Sequence, residues 1–231
     1  MVALASEPTT VSDIATIHRA LDVVLGPEAP DNVAELRILD TKQRTVAGYF
    51  DDRAVLARAV AQWSGKAPGV FITLNPVNPA LLARAPNRLE PWAKYTTSDH
   101  DIVRLRWLPV DFDPVRPAGI SSSDEEHEAA IARARECGRF MVKQGWPHPV
   151  IADSGNGGHL LFPIDLDPNE ADLVKDALAA MAWRWDDERV RVDQTTFNPA
   201  RVWKVYGSLA CKGYDAPGRP HRPARLLYVP E

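Results

Sequence analysis

The second half of the chain alternates predicted strands and helices in an order that few folds can accommodate. Hydrophobic periodicity predicts strands over residues 103–113, 150–152 and 159–164, and helices over 123–144 and 168–185. Short extended pieces are predicted at 190–194 and 202–206, and a last strand at 225–229. This order of elements is typical of a sheet whose helices pack on one face.

The first half of the chain predicts a smaller α/β lobe. Apolar spacing indicates a helix over residues 11–25, with Ser12 or Asp13 as its N-cap, and a second helix over 51–63. Alternating residues predict a hairpin from 33–40 and 46–50, and the run 69–74 predicts a buried strand. We therefore predict one bilobal unit over 1–231, with an N-terminal module of about 1–100 and a second module of about 101–231.

Composition describes an ordinary globular chain with one basic stretch. Of 231 residues, 45% are hydrophobic and 25% are charged, and the net charge is −4. This balance excludes the basic footprint of a simple DNA-coating protein. Between Arg201 and Arg225, however, six residues are basic and Asp215 is the single acid. Such a stretch suits an enzyme that binds phosphates locally, and an exposed basic tail is the alternative.

Cysteine usage and hydropathy limit the kinds of structural site and the cellular location that we expect. Cys137 and Cys211 are far apart in the sequence, so we predict neither a disulfide framework nor a cysteine-based zinc site. No apolar run approaches the roughly 18 residues that cross a bilayer. The N-terminus lacks a basic patch followed by an apolar stretch. We therefore expect a cytoplasmic protein without a membrane partner.

The strongest chemical signal is Asp111-Phe112-Asp113-Pro114, at the end of a predicted strand. Residues two apart on a strand share a face, so Asp111 and Asp113 should project together while Phe112 packs behind them. Two adjacent carboxylates repel each other unless a cation lies between them, and oxygen ligands suit Mg²⁺ or Mn²⁺. A solvated aspartate pair at a strand-to-turn junction is the alternative, because D-x-D alone is common.

The second signal is the turn at residues 153–159, Asp-Ser-Gly-Asn-Gly-Gly-His. Its glycines let the backbone bend sharply and approach a ligand, and its N–H groups can form an anion-binding nest. Ser154 and His159 would flank this nest and offer a hydroxyl and an imidazole to a phosphate or a sugar. The turn is neither a Walker A loop nor a Rossmann fingerprint. A glycine-rich hairpin with an exposed histidine is the alternative.

Two weaker signals follow in the C-terminal part. Asp193, on a short predicted strand, could supply the third carboxylate of a two-metal site, although most such residues are structural. The run 198–213 contains three donors that can neutralise a triphosphate: Arg201, Lys204 and Lys212. The alternative is a set of solvated basic residues around buried Trp203 and Tyr206.

Taken in order, these motifs resemble those of the archaeo-eukaryotic primase superfamily, and most of all the primase-polymerases of phages, plasmids and mobile elements. The matches are an hDhD strand at 110–113, an S-G-x-G-x-H turn at 154–159, an hD strand at 192–193, and an N-P-A-R-h-x-K-h-Y-G-[ST] run at 198–208 followed by K-G at 212–213. Thr73-Leu74-Asn75-Pro76 is also similar to the N-terminal module of that group. The matching region covers about 69–213, most of the chain.

The resemblance implies an α+β fold, in which an RNA-recognition-motif-like antiparallel or mixed sheet with helices on one face packs against an N-terminal α/β module. It implies a DNA primase and DNA polymerase, which starts and extends primers in DNA replication by two-metal phosphoryl transfer. The implied metal ligands and catalytic residues are Asp111, Asp113 and Asp193, holding two divalent cations, Mg²⁺ or Mn²⁺. The implied nucleotide-binding residues are Ser154, Gly155, Gly157, His159, Arg201, Lys204, Lys212 and Asn75.

The resemblance also implies partners. These are a single-stranded DNA template, dNTP or NTP substrates, and a replicative helicase domain or protein. The chain would then be either a catalytic fragment of a longer primase-helicase or a separate protein whose partner supplies the helicase. The alternatives are a gap-filling repair polymerase of the same superfamily that does not prime, a metal-dependent nuclease or replication initiator, and a template-binding module with a decayed site. A rolling-circle initiator usually has an H-h-H metal pair and a nucleophilic tyrosine on a helix, and the sequence suggests neither.

Overall fold

The computed structural model describes residues 13–29 and 31–230. The N-terminal half contains α1 (Ile14–Leu25), β1 (Ala34–Thr41), β2 (Arg44–Phe50), α2 (Arg53–Trp63) and β3 (Val70–Thr73). Asp13 caps α1, because its carboxylate accepts hydrogen bonds from the backbone amides of Ala15 and Thr16. The helix start predicted at residue 11 and the alternative cap Ser12 lie outside the described residues.

The C-terminal half begins with β4 (Leu105–Pro114) and α3 (Asp124–Lys143). The later elements are β5 (Val150–Asp153), β6 (Gly158–Leu166), α4 (Ala171–Trp185), β7 (Val190–Val192), β8 (Val202–Lys204), β9 (Leu209–Ala210), β10 (Arg222–Pro223) and β11 (Arg225–Tyr228). Ser123 and Glu126 form a capping box at the start of α3. The helix predicted from residue 168 instead opens with a 3₁₀ turn, Pro168–Glu170, before α4.

The strands form two large antiparallel sheets and one short pair. The first sheet has the order β2-β1-β3-β8, the second β11-β5-β6-β4-β7, and β9 pairs with β10. Antiparallel sheets combined with helices confirm the predicted α+β class. Strand β8 joins the first sheet through pairs such as Phe71 with Lys204. The first sheet therefore takes strands from both sides of the boundary predicted near residue 100.

Strand β4 shows why the two faces of the five-stranded sheet differ. Leu108, Val110 and Phe112 are buried in the apolar core that this sheet forms with α3 and α4. The predicted packing of Phe112 behind the aspartates is confirmed. Asp111 and Asp113 project from the opposite face, because side chains alternate along a strand. No helix in the described part of the chain is long and apolar enough to cross a bilayer.

Candidate active site

A cavity of about 280 Å³ lies between the two large sheets and collects most of the residues that the sequence singled out. From the five-stranded sheet and its turn it is lined by Asp111, Asp113, Ser154, Asn156 and His159. From the first sheet and the segments around β8 it is lined by Phe71, Arg201, Lys204 and Lys212, with Arg116 completing the rim. Acidic and basic side chains therefore face each other across one space.

Asp111 and His159 lie directly opposite each other on β4 and β6. Cross-strand partners share a face, which brings His159 Nε2 to 3.4 Å from Asp111 Oδ1. That oxygen is buried and has no hydrogen-bond partner. Burial removes water from this carboxylate oxygen. The loss of hydration is unfavourable unless a proton donor or a cation binds to the oxygen in place of water.

Asp113 lies two residues further along the same face. Its Oδ1 is 3.3 Å from Arg116 Nη1. Repulsion from Asp111 raises the pKa of Asp113, burial raises this pKa further, and Arg116 and Lys212 oppose both effects. The carboxylate pair is thus electrostatically strained, and a cation bound between its two members would relieve that strain.

The backbone of Asp193 lies next to that of Asp111, but the Asp193 side chain contacts residues outside the aspartate pair. The register of β4 with β7 places it opposite Asp111, and its amide donates to the Asp111 carbonyl at 2.8 Å. Its Oδ1 accepts hydrogen bonds from the amide and hydroxyl of Thr195, and its Oδ2 lies 3.2 Å from Arg201 Nη2. Asp193 thereby caps the 3₁₀ helix Gln194–Phe197 and does not line the cavity.

The fit of this site to a metal ion depends on the aspartate pair. Within the described residues, no three histidine, cysteine or acidic side chains form a metal-binding group. Mg²⁺, however, is commonly bound by one or two carboxylates, with waters and substrate phosphates completing its octahedron. Asp111 and Asp113, with one oxygen bare, fit that mode of binding.

The glycine turn differs from the predicted anion nest. The Ser154 amide donates to the Gly157 carbonyl, and the Gly155 amide donates to Asp153 Oδ1. The amides of Asn156 and Gly157 donate to Ser154 Oγ, at 3.2 and 2.9 Å. Each of these four amides therefore has an acceptor within the loop. What the turn presents to the cavity is the side chains of Ser154 and Asn156.

The glycines are needed for close packing. Gly155 has φ +87°, and a Cβ there would lie 2.7 Å from the Arg222 carbonyl oxygen. A Cβ at Gly157 would collide with the Phe112 carbonyl oxygen. Glycine at these positions lets the turn lie against β4 and β10. This close packing fixes the backbone positions of Ser154 and His159.

Lys204 lines the cavity from the first sheet, and its environment changes its pKa. Its Nζ lies 4.5 Å from the centre of the Phe71 ring, a cation–π contact. Burial lowers the pKa of Lys204 to about 8, the nearby Cys211 opposes this effect, and the charge of Lys212 adds to it. An anion bound in the cavity would stabilise the charged form of Lys204 further.

Asn75 lies outside the cavity. Its side-chain amide donates to the Pro199 carbonyl at 3.0 Å, and its oxygen accepts from the Arg106 amide at 2.9 Å. Asn75 is buried and joins the loop before Arg201 to β4. Its observed contacts are therefore structural.

Several lining residues were not predicted from the sequence: Phe71, Arg116, Asn156, Thr196 and Trp203. The sequence does contain an indication for Arg116, because a cation three residues after a carboxylate pair is well placed to contact that pair. Phe71 had a weaker one, since it alternates with buried Val70 and Ile72 along β3. Thr196 had none, because its place depends on how the chain turns after β7.

No protein-family model and no curated protein matches the chain. Among solved structures, the chain is similar to that of the primase RepB′, with 12% identity and a TM-score of 0.46, over 94% of this chain and 56% of that one. It is also similar to the polymerase domain of Mycobacterium tuberculosis ligase D in complex with DNA, with 18% identity and a TM-score of 0.43, over 93% and 81% of the two chains. The chain thus spans little more than half the length of RepB′. Both TM-scores are below 0.5, so what this chain does has to follow from its own residues.

Proposed function

We propose that this chain is a template-directed nucleotidyltransferase of the primase-polymerase type, which makes DNA primers and extends them. The observation that carries the proposal is the Asp111–Asp113 pair, with its bare buried oxygen, facing basic side chains across one cavity. Carboxylates that hold metal, opposite cations that hold phosphate, are what phosphoryl transfer requires. The order of motifs along the chain, which resembles that of primase-polymerases, also supports the proposal.

In this proposal Asp111 and Asp113 hold the divalent cations, Mg²⁺ or Mn²⁺. When bound, two such cations activate the attacking hydroxyl and neutralise charge on the leaving pyrophosphate. Asp193, which lies opposite Asp111 in the sheet, would be the third carboxylate ligand, and its carboxylate would then give up its contact with Arg201. The Arg201 guanidinium would in that case be available to the incoming triphosphate.

The remaining residues bind the nucleotide. Arg201, Lys204 and Lys212 neutralise the triphosphate, with Arg116 between the acids and the phosphates. Ser154, Asn156 and His159 contact the phosphates and the sugar from the side of the glycine turn. The substrates are dNTPs or NTPs, the template is single-stranded DNA, and a replicative helicase is a partner in DNA replication.

The deciding experiment incubates the chain with single-stranded DNA, labelled nucleotides and Mg²⁺ or Mn²⁺, with and without a primer. New short products without a primer support the proposal. Extension that requires a primer supports a gap-filling polymerase instead, and shortening of the template supports a nuclease or an initiator. The Asp111→Asn variant controls for contaminating activity. Absence of any incorporation by the unsubstituted chain refutes the proposed function.

A further inference from the structure

Tyr206 forms a buried junction behind the cavity. It follows β8 and is only 1% exposed. Its hydroxyl oxygen lies 2.8 Å from Trp203 Nε1 and 2.9 Å from His159 Nδ1. The junction links the first sheet, through β8, to β6 of the second sheet. Tyr206 therefore connects Trp203 to His159 through two hydrogen bonds.

The chemistry of the three groups fixes the direction of the hydrogen bonds. The Trp203 indole can only donate, so it donates to the Tyr206 oxygen. Burial raises the pKa of the Tyr206 hydroxyl, which therefore keeps its own proton. Of the two neighbours that this hydroxyl contacts, only His159 Nδ1 can accept that proton.

The opposite arrangement is unfavourable. If His159 Nδ1 carried the proton, it would donate to Tyr206, and the tyrosine proton would have no acceptor among its observed contacts. A buried donor left without a partner loses its hydration without compensation, so this arrangement is disfavoured. The favoured tautomer of His159 therefore has a bare Nδ1 and a proton on Nε2.

The ring is also held in place by packing. The Trp203 ring lies against the His159 ring, with centroids 4.1 Å apart and planes at 39°. His159 is 4% exposed, and its Nε2 faces Asp111 Oδ1, the carboxylate oxygen that lacks a partner. An Nε2 proton in this position faces that carboxylate without forming a hydrogen bond to it, and it can donate to a phosphate oxygen that enters the cavity.

We propose that Tyr206 and Trp203 are positioning residues, which hold His159 in the Nε2-protonated tautomer with that N–H directed at the carboxylate pair and the nucleotide phosphates. The kinetic part of this inference rests on the proposed function, while the tautomer itself does not. Tyr206 does not line the cavity, so it acts through His159, which does.

The first test measures the tautomer without any need for catalysis. Long-range ¹H–¹⁵N spectra of the full chain at pH 8 distinguish protonated from bare ring nitrogens, and His159→Gln assigns the signals. We expect a bare Nδ1 in the unsubstituted chain and a shift towards Nδ1–H in Tyr206→Phe. A protonated Nδ1 in the unsubstituted chain overturns the inference, and so does an unchanged tautomer in Tyr206→Phe.

Tyr49→Phe is the matched control. Tyr49 is also buried, and its hydroxyl contacts Arg84 and Thr97, away from His159. Its substitution removes a buried tyrosine hydroxyl of the same kind, so it reports the general effect of that loss on stability. We expect Tyr49→Phe to leave the His159 signals in place; a tautomer shift as large as that of Tyr206→Phe would overturn the inference.

The second test is kinetic. Tyr206→Phe should raise the nucleotide KM about five- to tenfold, the value of one hydrogen bond, while Tyr49→Phe leaves KM unchanged. In a His159→Ala background, Tyr206→Phe should change KM less than twofold, because the residue through which it acts is gone. Equal KM effects in both backgrounds overturn the inference. If the unsubstituted chain incorporates no nucleotide, the proposed function fails, and the tautomer measurement still decides this inference.

Discussion

The acidic and basic walls of the cavity are built in different ways. Asp111, Asp113 and His159 come from two adjacent strands of one sheet, so local alternation and one antiparallel pairing are enough to assemble them. Lys204 reaches the cavity because β8 leaves the C-terminal half and pairs with β3. Local alternation thus places the two aspartates and one pairing within the C-terminal half adds His159, whereas Lys204 depends on a pairing between the two halves of the chain.

The largest effect is expected on the acidic wall. Asp111→Asn should reduce nucleotide incorporation by at least roughly a hundredfold, because it removes charge from the metal-binding pair while keeping its shape. Incorporation of labelled nucleotide with Mg²⁺ or Mn²⁺ measures this. Asp165→Asn, which changes an exposed acid on β6, should leave the rate unchanged. Comparable activity in the Asp111 variant and the parent would contradict the assignment of the pair.

The next effect concerns the turn that supports the acidic wall. Gly157→Ala should destabilise the chain by about 1–3 kcal/mol, since its Cβ would meet the Phe112 carbonyl oxygen. Urea unfolding measures the loss. Gly138→Ala is the control, because its Cβ would meet only side-chain atoms at 3.5 Å or more. Equal unfolding midpoints for the two variants would show that the turn tolerates a side chain.

The basic wall should respond to pH. The pKa of Lys204 is lowered to about 8, so its charge is present at pH 7 and largely lost at pH 9. We expect the nucleotide KM to rise about tenfold over that range, because a contact with phosphate is lost. Lys204→Arg keeps its charge and should flatten the profile. An identical rise in both proteins would place the titrating group elsewhere.

The smallest effect is on stability. The pKa of Asp113 is raised, so its ionised form is disfavoured in the folded chain, and this costs stability as pH rises above the value of an unfolded carboxyl. Without divalent cations, Asp113→Asn should therefore raise the melting temperature at pH 7 slightly, by no more than about 2 °C, and not at pH 3. Thermal unfolding with added Mn²⁺ should reverse the order, because only the parent keeps both carboxylates. A lower melting temperature of the variant without metal would refute the strain between the two acids.

Much of the fold could be predicted because it depends on local rules. The cap of α3 at Ser123 and the burial of Phe112 between two cavity-facing acids follow from residue type and spacing. The contacts of Asp193 and of the turn amides could not be predicted. The Asp193 side chain could turn towards the neighbouring carboxylate pair or towards Arg201, and it contacts Arg201. The Gly157 amide could bind a ligand or the hydroxyl oxygen of Ser154, and it donates to Ser154. Such choices depend on distances of a few ångströms that no sequence pattern specifies.

The sequence by itself determined most of the strands and helices, and the face on which Asp111 and Asp113 lie, because these depend on periodicity within a few residues. Only the tertiary structure decided that β8 joins the first sheet, and that Tyr206 meets His159 from 47 residues away. Pairings of that range arise from the summed packing of both sheets. No local pattern specifies that packing, and so only the tertiary structure sets the orientation of His159.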